Sequence, residues 1–187
     1  MSFTIDLLDD STRPKAPRIE GVTERQRMQG RRLAMIHALH LRQMAEVRQI
    51  MEHVATGEKD AGALDEALSG LEMSHNYRAF GSLCGQECRM LTFHHTAEDR
   101  MLFPALAAQD NEGLRKVVER LAAEHEVIHH LIERMEAAAR FAMNEPGPET
   151  FASLREAFET LERVVVSHFG YEQEELEEAL GYYEIDL

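Results

Sequence analysis

Residues 114–139 read LRKVVERLAAEHEVIHHLIERMEAAA, and apolar side chains recur in this stretch at alternating steps of four and three residues. Such steps place side chains on one face of an α-helix, because the helix has about 3.6 residues per turn. The face comprises Leu114, Val118, Leu121, His125, Ile128, Ile132, Met135 and Ala139. A histidine therefore occupies a position on the apolar face of the predicted helix.

The same period occurs in three other stretches of the chain. The first stripe contains Leu33, His37, His40, Met44, Val47, Met51 and Val54; the second contains Phe80, Cys84, Leu91, Glu98 and Leu102; the last contains Phe151, Leu154, Phe158, Leu161, Val165, His168 and Glu172. Breakers separate the four stretches: Gly57 and Gly62, then Pro104 with Gly113, and finally residues 144–148. Pro104 is expected to kink or end the second helix. Four long amphipathic helices with short connections predict an all-α, up-and-down antiparallel four-helix bundle.

Residues 1–22 show no sustained period and contain Pro14 and Pro17, so they are interpreted as an N-terminal arm, and residues 23–187 as the bundle domain. Charge is unevenly spread along the chain. Residues 13–32 contain seven basic residues, whereas residues 169–187 contain seven acidic residues and none that are basic. The basic arm is therefore expected to lie against the acidic end, or else against a partner surface.

Bulk composition excludes several classes of protein. A length of 187 residues with 44% hydrophobic composition fits one compact domain. The net charge of -14 argues against a nucleic-acid binder, because phosphate neutralisation needs clustered Lys and Arg. No run approaches the roughly 18 apolar residues of a membrane helix, and no apolar signal segment follows Met1, so no membrane association and a cytoplasmic location are expected. Two cysteines do not indicate a disulfide scaffold.

Histidine stands on three of the four stripes, His94 and His95 flank the centre line of the second stripe, and two stripes also contain a glutamate. Burying such groups without partners costs several kcal/mol, and metal coordination is a common way to offset that cost. Three pairs stand four residues apart on one side of a helix: His94 with Glu98, His125 with His129, and His168 with Glu172. Together with His37 they supply five imidazoles and two carboxylates. This nitrogen-rich set without thiolate favours a pair of iron ions over zinc.

Four motifs carry a resemblance to a known family: His37 on the first helix, HHTAED with LFPAL at 94–106, EHEVIHH at 124–130, and HFGYE at 168–172. Over residues 31–180 the chain resembles the hemerythrin-like proteins, which contain HHE cation-binding domains. The resemblance implies a non-haem diiron centre, in which two carboxylates and an oxo or hydroxo group bridge the ions. One ion would keep a position open for dioxygen or peroxide. The implied metal ligands are His37, His94, Glu98, His125, His129, His168 and Glu172.

Spacing leaves two ligand assignments open, since His40 competes with His37 and His95 competes with His94. Asp99 points about 100° away from Glu98 and is expected to be a solvated charge. Glu172 follows His168 by four residues, whereas the corresponding acid of animal oxygen carriers follows by five. The chain is also longer than those carriers, which makes simple oxygen transport a less secure role.

The other chemically active side chains are assigned structural roles. His53, His75 and His130 have no partners in these motifs, and His130 is expected to face water. Cys84 and Cys88 stand one turn apart and are interpreted as core filling, with a redox pair as the alternative. Methionines 44, 51, 101 and 135 are assigned to the core. Tyr171 is expected at the rim of the site, and Gly170 is expected to allow close approach of a neighbouring helix.

The preferred hypothesis is a diiron protein that binds dioxygen or a related small oxidant, for oxygen or redox sensing, oxygen handling or iron buffering. The alternative is an enzyme in which the same centre decomposes hydrogen peroxide or reduces nitric oxide. A third hypothesis is a metal-free helical interaction module. Dioxygen or peroxide is the small-molecule partner under the first two hypotheses, and no protein partner is predicted.

Overall fold

The computed structural model describes residues 9–60 and 85–186. Within these ranges every regular element is helical and no strand occurs, which confirms the predicted all-α class. A short helix α1 (Glu24–Gly30) precedes α2 (Arg32–Asp60). Helix α3 is described from residue 85 and ends at Ala107. Helices α4 (Glu112–Asn144) and α5 (Pro148–Tyr182) complete the four long helices, which pack as a bundle.

The apolar stripes predicted for α2, α4 and α5 are buried along their whole length, and Leu91, Glu98 and Leu102 of the α3 stripe are buried as well. Gly57 does not end α2, which continues to Asp60. Phe80, Cys84, Gly62 and His75 lie outside the described residues, as does the predicted start of the second helix. The side chain of His53 is likewise outside the description.

Helix α3 changes its winding where the ligand-rich motif lies. Residues 85–97 are α-helical, Glu98–Leu102 form a π-helical turn, and Phe103–Ala107 are α-helical again. In the π turn the Phe103 N–H donates to the Glu98 carbonyl, five residues back. Pro104 follows directly and has no N–H to continue the α-helical ladder, which accounts for the looser turn before it. The sequence predicted that Pro104 kinks or ends the helix, and the helix does not end there. It continues because the π-helical turn accommodates the hydrogen bond that Pro104 cannot donate.

The chain divides into two compact units. The first contains residues up to 39, residues 92–130 and residues from 163 onward. Its apolar core lies around Leu106, Val117, Leu121 and Leu176, all of which are fully buried. The second contains residues 40–91 and 131–162, with Met44, Met135 and Phe158 buried in its core. Arg48 and Glu162 pair at its surface.

Within the first unit, α1 packs against the end of α5 at two glycines. A Cβ atom at Gly30 would overlap the Glu177 carbonyl, and one at Gly181 would overlap the Gln26 carbonyl. Helix α1 itself begins with a capping box, in which the side chains of Thr23 and Gln26 each accept a hydrogen bond from the other's backbone N–H. The absence of side chains at the two glycines lets the backbones approach closely.

The described part of the N-terminal arm lies against the acidic end of α5, as its charge predicted. Backbone N–H groups of Ala16 and Ile19 donate to Glu175 and Glu178 at 2.6 and 3.1 Å. Lys15 pairs with Glu175 at 2.9 Å. The Pro17 ring covers Gly113, where an added Cβ would stand 2.5 Å from the Pro17 Cδ atom. Backbone and side-chain contacts together hold the arm in place.

Three expectations about single residues are corrected. Met101 is 69% exposed, because Leu102 takes the core position and the preceding side chain points about 100° away from it. Gly170 is exposed and a Cβ there would meet nothing within 4 Å, so it serves no close helix approach. Tyr171 is buried among apolar residues rather than at a rim. None of the described helices has the length and apolar character needed to span a bilayer.

Candidate metal centre

Four polar side chains from three helices meet inside the first unit. His37 comes from α2, His94 and Glu98 from α3, and Glu172 from α5. One potential ligand atom from each lies within 4.8 Å of the others, and all four side chains are buried. We call these residues the first ligand group.

A second ligand group lies in the same unit and consists of three buried histidines. His95 comes from α3, His125 from α4 and His168 from α5, with one ring nitrogen of each within 4.8 Å of the others. The Nε2 atoms of His125 and His168 are 3.1 Å apart. The ring of His95 stacks on that of His125, with centroids 4.1 Å apart.

The two glutamates extend from the first group towards the second. Glu98 Oε1 lies 3.3 Å from Nε2 of His94, while Glu98 Oε2 lies 3.5 Å from Nε2 of His125. Glu172 Oε2 lies 3.3 Å from Nε2 of His37 and 3.7 Å from Nε2 of His168. Each carboxylate therefore has imidazoles of both groups as neighbours, which is the arrangement that carboxylates bridging two ions require.

Three of the buried side chains at the centre, His95, Glu98 and Glu172, make no hydrogen bond through their polar atoms to the described residues. Among the residues that the structure describes, no hydrogen bond reaches either ring nitrogen of His95 or the carboxylate oxygens of Glu98 and Glu172. Unsatisfied buried polar groups are rare in folded proteins and call for an explanation. A cation explains all of them at once, since it accepts lone pairs from imidazoles and carboxylates together.

Burial shifts the pKa values of these groups in the direction that favours their neutral forms. It raises the pKa of Glu98 well above its ordinary range, and the neighbouring Glu172 carboxylate raises it further. Burial likewise raises the pKa of Glu172 to about 8. It lowers the pKa values of His95 and His168 well below 6.5, with repulsion from His125 adding to the effect. Both of these imidazoles are therefore neutral at pH 7, as metal ligation requires.

Outer hydrogen bonds orient the ligand rings. Nδ1 of His125 lies 2.8 Å from Asp99 Oδ1, and Nδ1 of His168 lies 3.1 Å from Glu124 Oε2. Because a carboxylate only accepts, each Nδ1 carries the proton and each Nε2 presents a lone pair to the centre. Asp99 is exposed, as expected, but its carboxylate also accepts a hydrogen bond from His125, which was not predicted.

The Nε2 atom of the Gln173 side-chain amide lies 2.9 Å from Nδ1 of His37 and fixes the orientation of that ring. Two aromatic rings form apolar walls. Phe169 stacks on His37 at a centroid distance of 3.8 Å, and Phe103 stacks on His125 at 5.1 Å. The walls exclude water from the imidazole faces and leave the nitrogen atoms directed at the centre.

Every ligand implied by the family resemblance lies in one of the two groups except His129. His129 is half-buried, and its ring centroid stands 6.0 Å from that of His95. His94 and His95, which were weighed as alternatives, both lie at the centre and belong to different groups. The adjacent pair of histidines was the available signal, because neighbouring helical residues diverge by about 100° and can face two ions.

The remaining polar candidates have other places. His40 belongs to the second unit, where its Nδ1 lies 2.8 Å from buried Glu87. His130 is exposed as expected, and Cys88 is a buried thiol. The Tyr171 hydroxyl donates to the Pro14 carbonyl at 2.7 Å. Sequence reasoning missed Glu124 and Gln173, although each stands directly beside an implied ligand in the sequence.

The donor set of imidazoles and carboxylates fits a cation site, and comparison with known proteins agrees. Residues 31–180, which contain both ligand groups, match the family model described as the hemerythrin HHE cation binding domain. No curated protein and no solved structure matched the chain. The match covers most of the chain and leaves the N-terminal arm outside it. The chain therefore belongs to the hemerythrin HHE cation-binding domain family.

Proposed function

We propose that the protein holds two iron ions between the ligand groups and uses them to react with dioxygen or a related small oxidant. The observation that carries the proposal is the placement of Glu98 and Glu172. Each is buried, each has imidazoles of both groups as neighbours, and no described residue satisfies its oxygens. A carboxylate with imidazoles of both groups beside it can bind an ion on each side, which favours two ions over one.

The ligands divide between the two ions according to their positions. His37 and His94 would hold one ion, and His95, His125 and His168 the other, with Glu98 and Glu172 shared between them. This set contains five imidazoles, as predicted, but includes His95 where the family resemblance implied His129. Imidazole-rich ligation suits iron, copper, nickel or zinc, and shared carboxylates favour iron or manganese among paired ions.

A pair of ferrous ions supplies two electrons to a bound oxidant. The chain supplies the surroundings. His37 and His94 would give one ion one imidazole fewer than the other ion has, and so leave one more of its coordination positions for a small molecule. Phe169 lies flat on His37 and keeps water from that side. Asp99 and Glu124 hold the protons of His125 and His168 on Nδ1, away from the centre.

Oxygen or redox sensing, oxygen handling and iron buffering are roles that such a centre can serve, and they are the proposed physiological roles. Purification without added metal tests the proposal. We expect about two iron ions per chain and, after exposure to air, near-ultraviolet absorption typical of a bridged ferric pair. Zinc alone, or less than one ion per chain, contradicts the proposal.

A matched pair of variants tests whether the metal binds at this site. Glu172→Gln preserves size but removes a shared carboxylate, so iron content should fall to about one ion per chain or less. Glu174→Gln changes a side chain that is 72% exposed on the same helix and should leave iron content unchanged. Retention of both ions by Glu172→Gln contradicts the assignment of Glu172 as a shared ligand.

Addition of hydrogen peroxide to the iron-loaded protein separates binding from enzymatic turnover. A binding or sensing protein changes its spectrum once and releases no oxygen in excess of its iron content. Repeated oxygen release would assign the chain to the enzymatic alternative. Colourless protein that binds no metal would support the interaction module.

A further inference from the structure

The buried guanidinium of Arg13 lies outside the residues that match the family. It belongs to the N-terminal arm, and its side chain is 1% exposed. Its Nε and Nη2 atoms donate to the two oxygens of Glu124, each at 2.9 Å. Such a two-point fork fixes the plane of a carboxylate as well as its position.

Glu124 in turn contacts a residue of the second ligand group. Its Oε2 atom accepts from Nδ1 of His168 at 3.1 Å, while the same oxygen accepts from Arg13 Nη2. The side chain of Glu124 is fully buried, so water does not substitute for either donor. An outer carboxylate of this kind sets both the tautomer and the ring orientation of a ligating histidine.

We propose that Arg13 is a positioning residue for the metal centre, because its fork on Glu124 fixes the orientation of His168. The inference rests on the proposed function in one respect, namely that His168 binds a metal ion. It assigns a role at the centre to a segment outside the family match. The arm thereby forms part of the outer wall of the metal site.

Other contacts of Arg13 hold the fork in place. Nη1 donates to Asp10 at 2.7 Å and to the Ser167 hydroxyl at 3.1 Å, and the guanidinium lies 4.6 Å from the centre of the Tyr171 ring. Ser167 precedes His168 in α5. The arm is therefore tied to the same turn of α5 that carries the ligand.

Metal titration with cobalt(II) tests the inference, because cobalt spectra report the number and geometry of nitrogen ligands. In Arg13→Gln we expect about 10- to 100-fold weaker binding of one ion, since loss of an outer-shell partner of a ligand has that effect. Arg13→Lys keeps the charge but not the fork and should recover only part of the affinity. Arg18→Gln, at an arm side chain that is 92% exposed, is the matched control and should bind as the unaltered protein does.

A double-mutant cycle separates positioning from general support of the fold. If Arg13 acts through Glu124, Arg13→Gln adds no further loss of cobalt affinity in a Glu124→Gln background. Equal losses in both backgrounds would overturn the proposal. Thermal unfolding of the chelated variants shows whether any of them fails to fold, and Arg13→Lys still tests the fork if Arg13→Gln does not fold.

Nuclear magnetic resonance of the chelated protein provides a readout that does not need metal. The imidazole nitrogens of His168 should report a proton on Nδ1 in the unaltered protein and a mixture of tautomers in Arg13→Gln. An unchanged tautomer together with unchanged cobalt affinity overturns the inference. Failure of the unaltered protein to bind two cobalt ions would instead count against the proposed function, while the tautomer measurement would still decide the role of Arg13.

Discussion

The Nε2 atoms of His125 and His168 face each other at 3.1 Å, although both rings are held by carboxylates on their opposite nitrogens. With a proton on each Nδ1, the two Nε2 atoms present lone pairs to one another. Two lone pairs at this distance repel, so a cation must balance them, either a metal ion or an extra proton. The fold at this point is arranged for a cation rather than for a neutral core.

The first prediction is that metal removal destabilises the fold. Binding to the folded state alone adds about 2.7 kcal/mol at a free-ion concentration one hundred times the dissociation constant. For a chain of this size that corresponds to a loss of about 5–10 °C in Tm after chelation. Differential scanning calorimetry before and after chelation measures it. The variant Glu172→Gln is the control, because its Tm should respond much less to the chelator.

The second prediction is that the chelated protein becomes less stable between pH 6.5 and pH 8. Folding raises the pKa of Glu172 from an ordinary 4.5 to about 8, so the folded state binds more protons than the unfolded state between these values. Stability therefore falls as pH rises through that window. Equilibrium urea unfolding should show a loss on the order of 1–2 kcal/mol between pH 6.5 and 8.

Titration of the histidines changes folding stability in the opposite direction and at lower pH. The pKa values of His95 and His168 are lowered in the folded state, so stability is lost only as pH falls below the ordinary value of 6.5, where the unfolded chain takes up protons. Metal-loaded protein should lack the loss between pH 6.5 and 8, because bound ions replace the protons of Glu98 and Glu172 and neither state then carries protons on these carboxylates. Parallel pH profiles of chelated and loaded protein would contradict the carboxylate assignment.

The third prediction distinguishes His95 from His129. His95→Ala should remove metal from the second ligand group, because this ring contributes one of its three nitrogens. His129→Ala should retain both ions, since its ring lies outside both groups. Metal content per chain after dialysis measures the difference. Loss of an ion in His129→Ala, with retention in His95→Ala, would favour the ligand set implied by the family resemblance.

The fourth prediction concerns two glycines of α5. Gly181→Ala should destabilise the protein by about 1–3 kcal/mol, because its methyl group would overlap the Gln26 carbonyl. Gly170→Ala should stabilise it by about 0.5–1 kcal/mol, since the position is helical, exposed and open. Urea unfolding midpoints compare the two. A gain in stability with Gly181→Ala would show that α1 does not pack on α5 as described.

Periodicity predicted the fold well, because core faces of helices repeat regularly along the sequence. The stripe from Leu114 to Ala139 is buried at every position that spacing assigned to it. The same helical spacing predicted that Glu98 and Glu172 are buried, and both are. Helical spacing also predicted that His130 lies off the buried face, and its side chain is exposed.

Partners from different helices were harder to predict. Asp99 points away from Glu98 on its own helix, and only the approach of α4 brings His125 to it. Arg13 and Glu124 are separated by 111 residues in the chain. Spacing along one helix contains no information about such pairs, because they depend on how the helices and the arm pack.

The π-helical turn gives the number of residues between Glu98 and Phe103 a direct chemical meaning. Phe103 lies on His125, and both it and Leu106 follow the turn on the same helix. A π turn holds one residue more than an α turn for nearly the same rotation, so deleting one residue from 99–101 should restore ordinary α-helix and leave Phe103 on His125. Deleting one residue from the regular α-helix at 103–107 would instead rotate everything after it by about 100°. The extra residue of α3 is thus confined to the turn between the buried Glu98 and the aromatic wall, where both keep their faces.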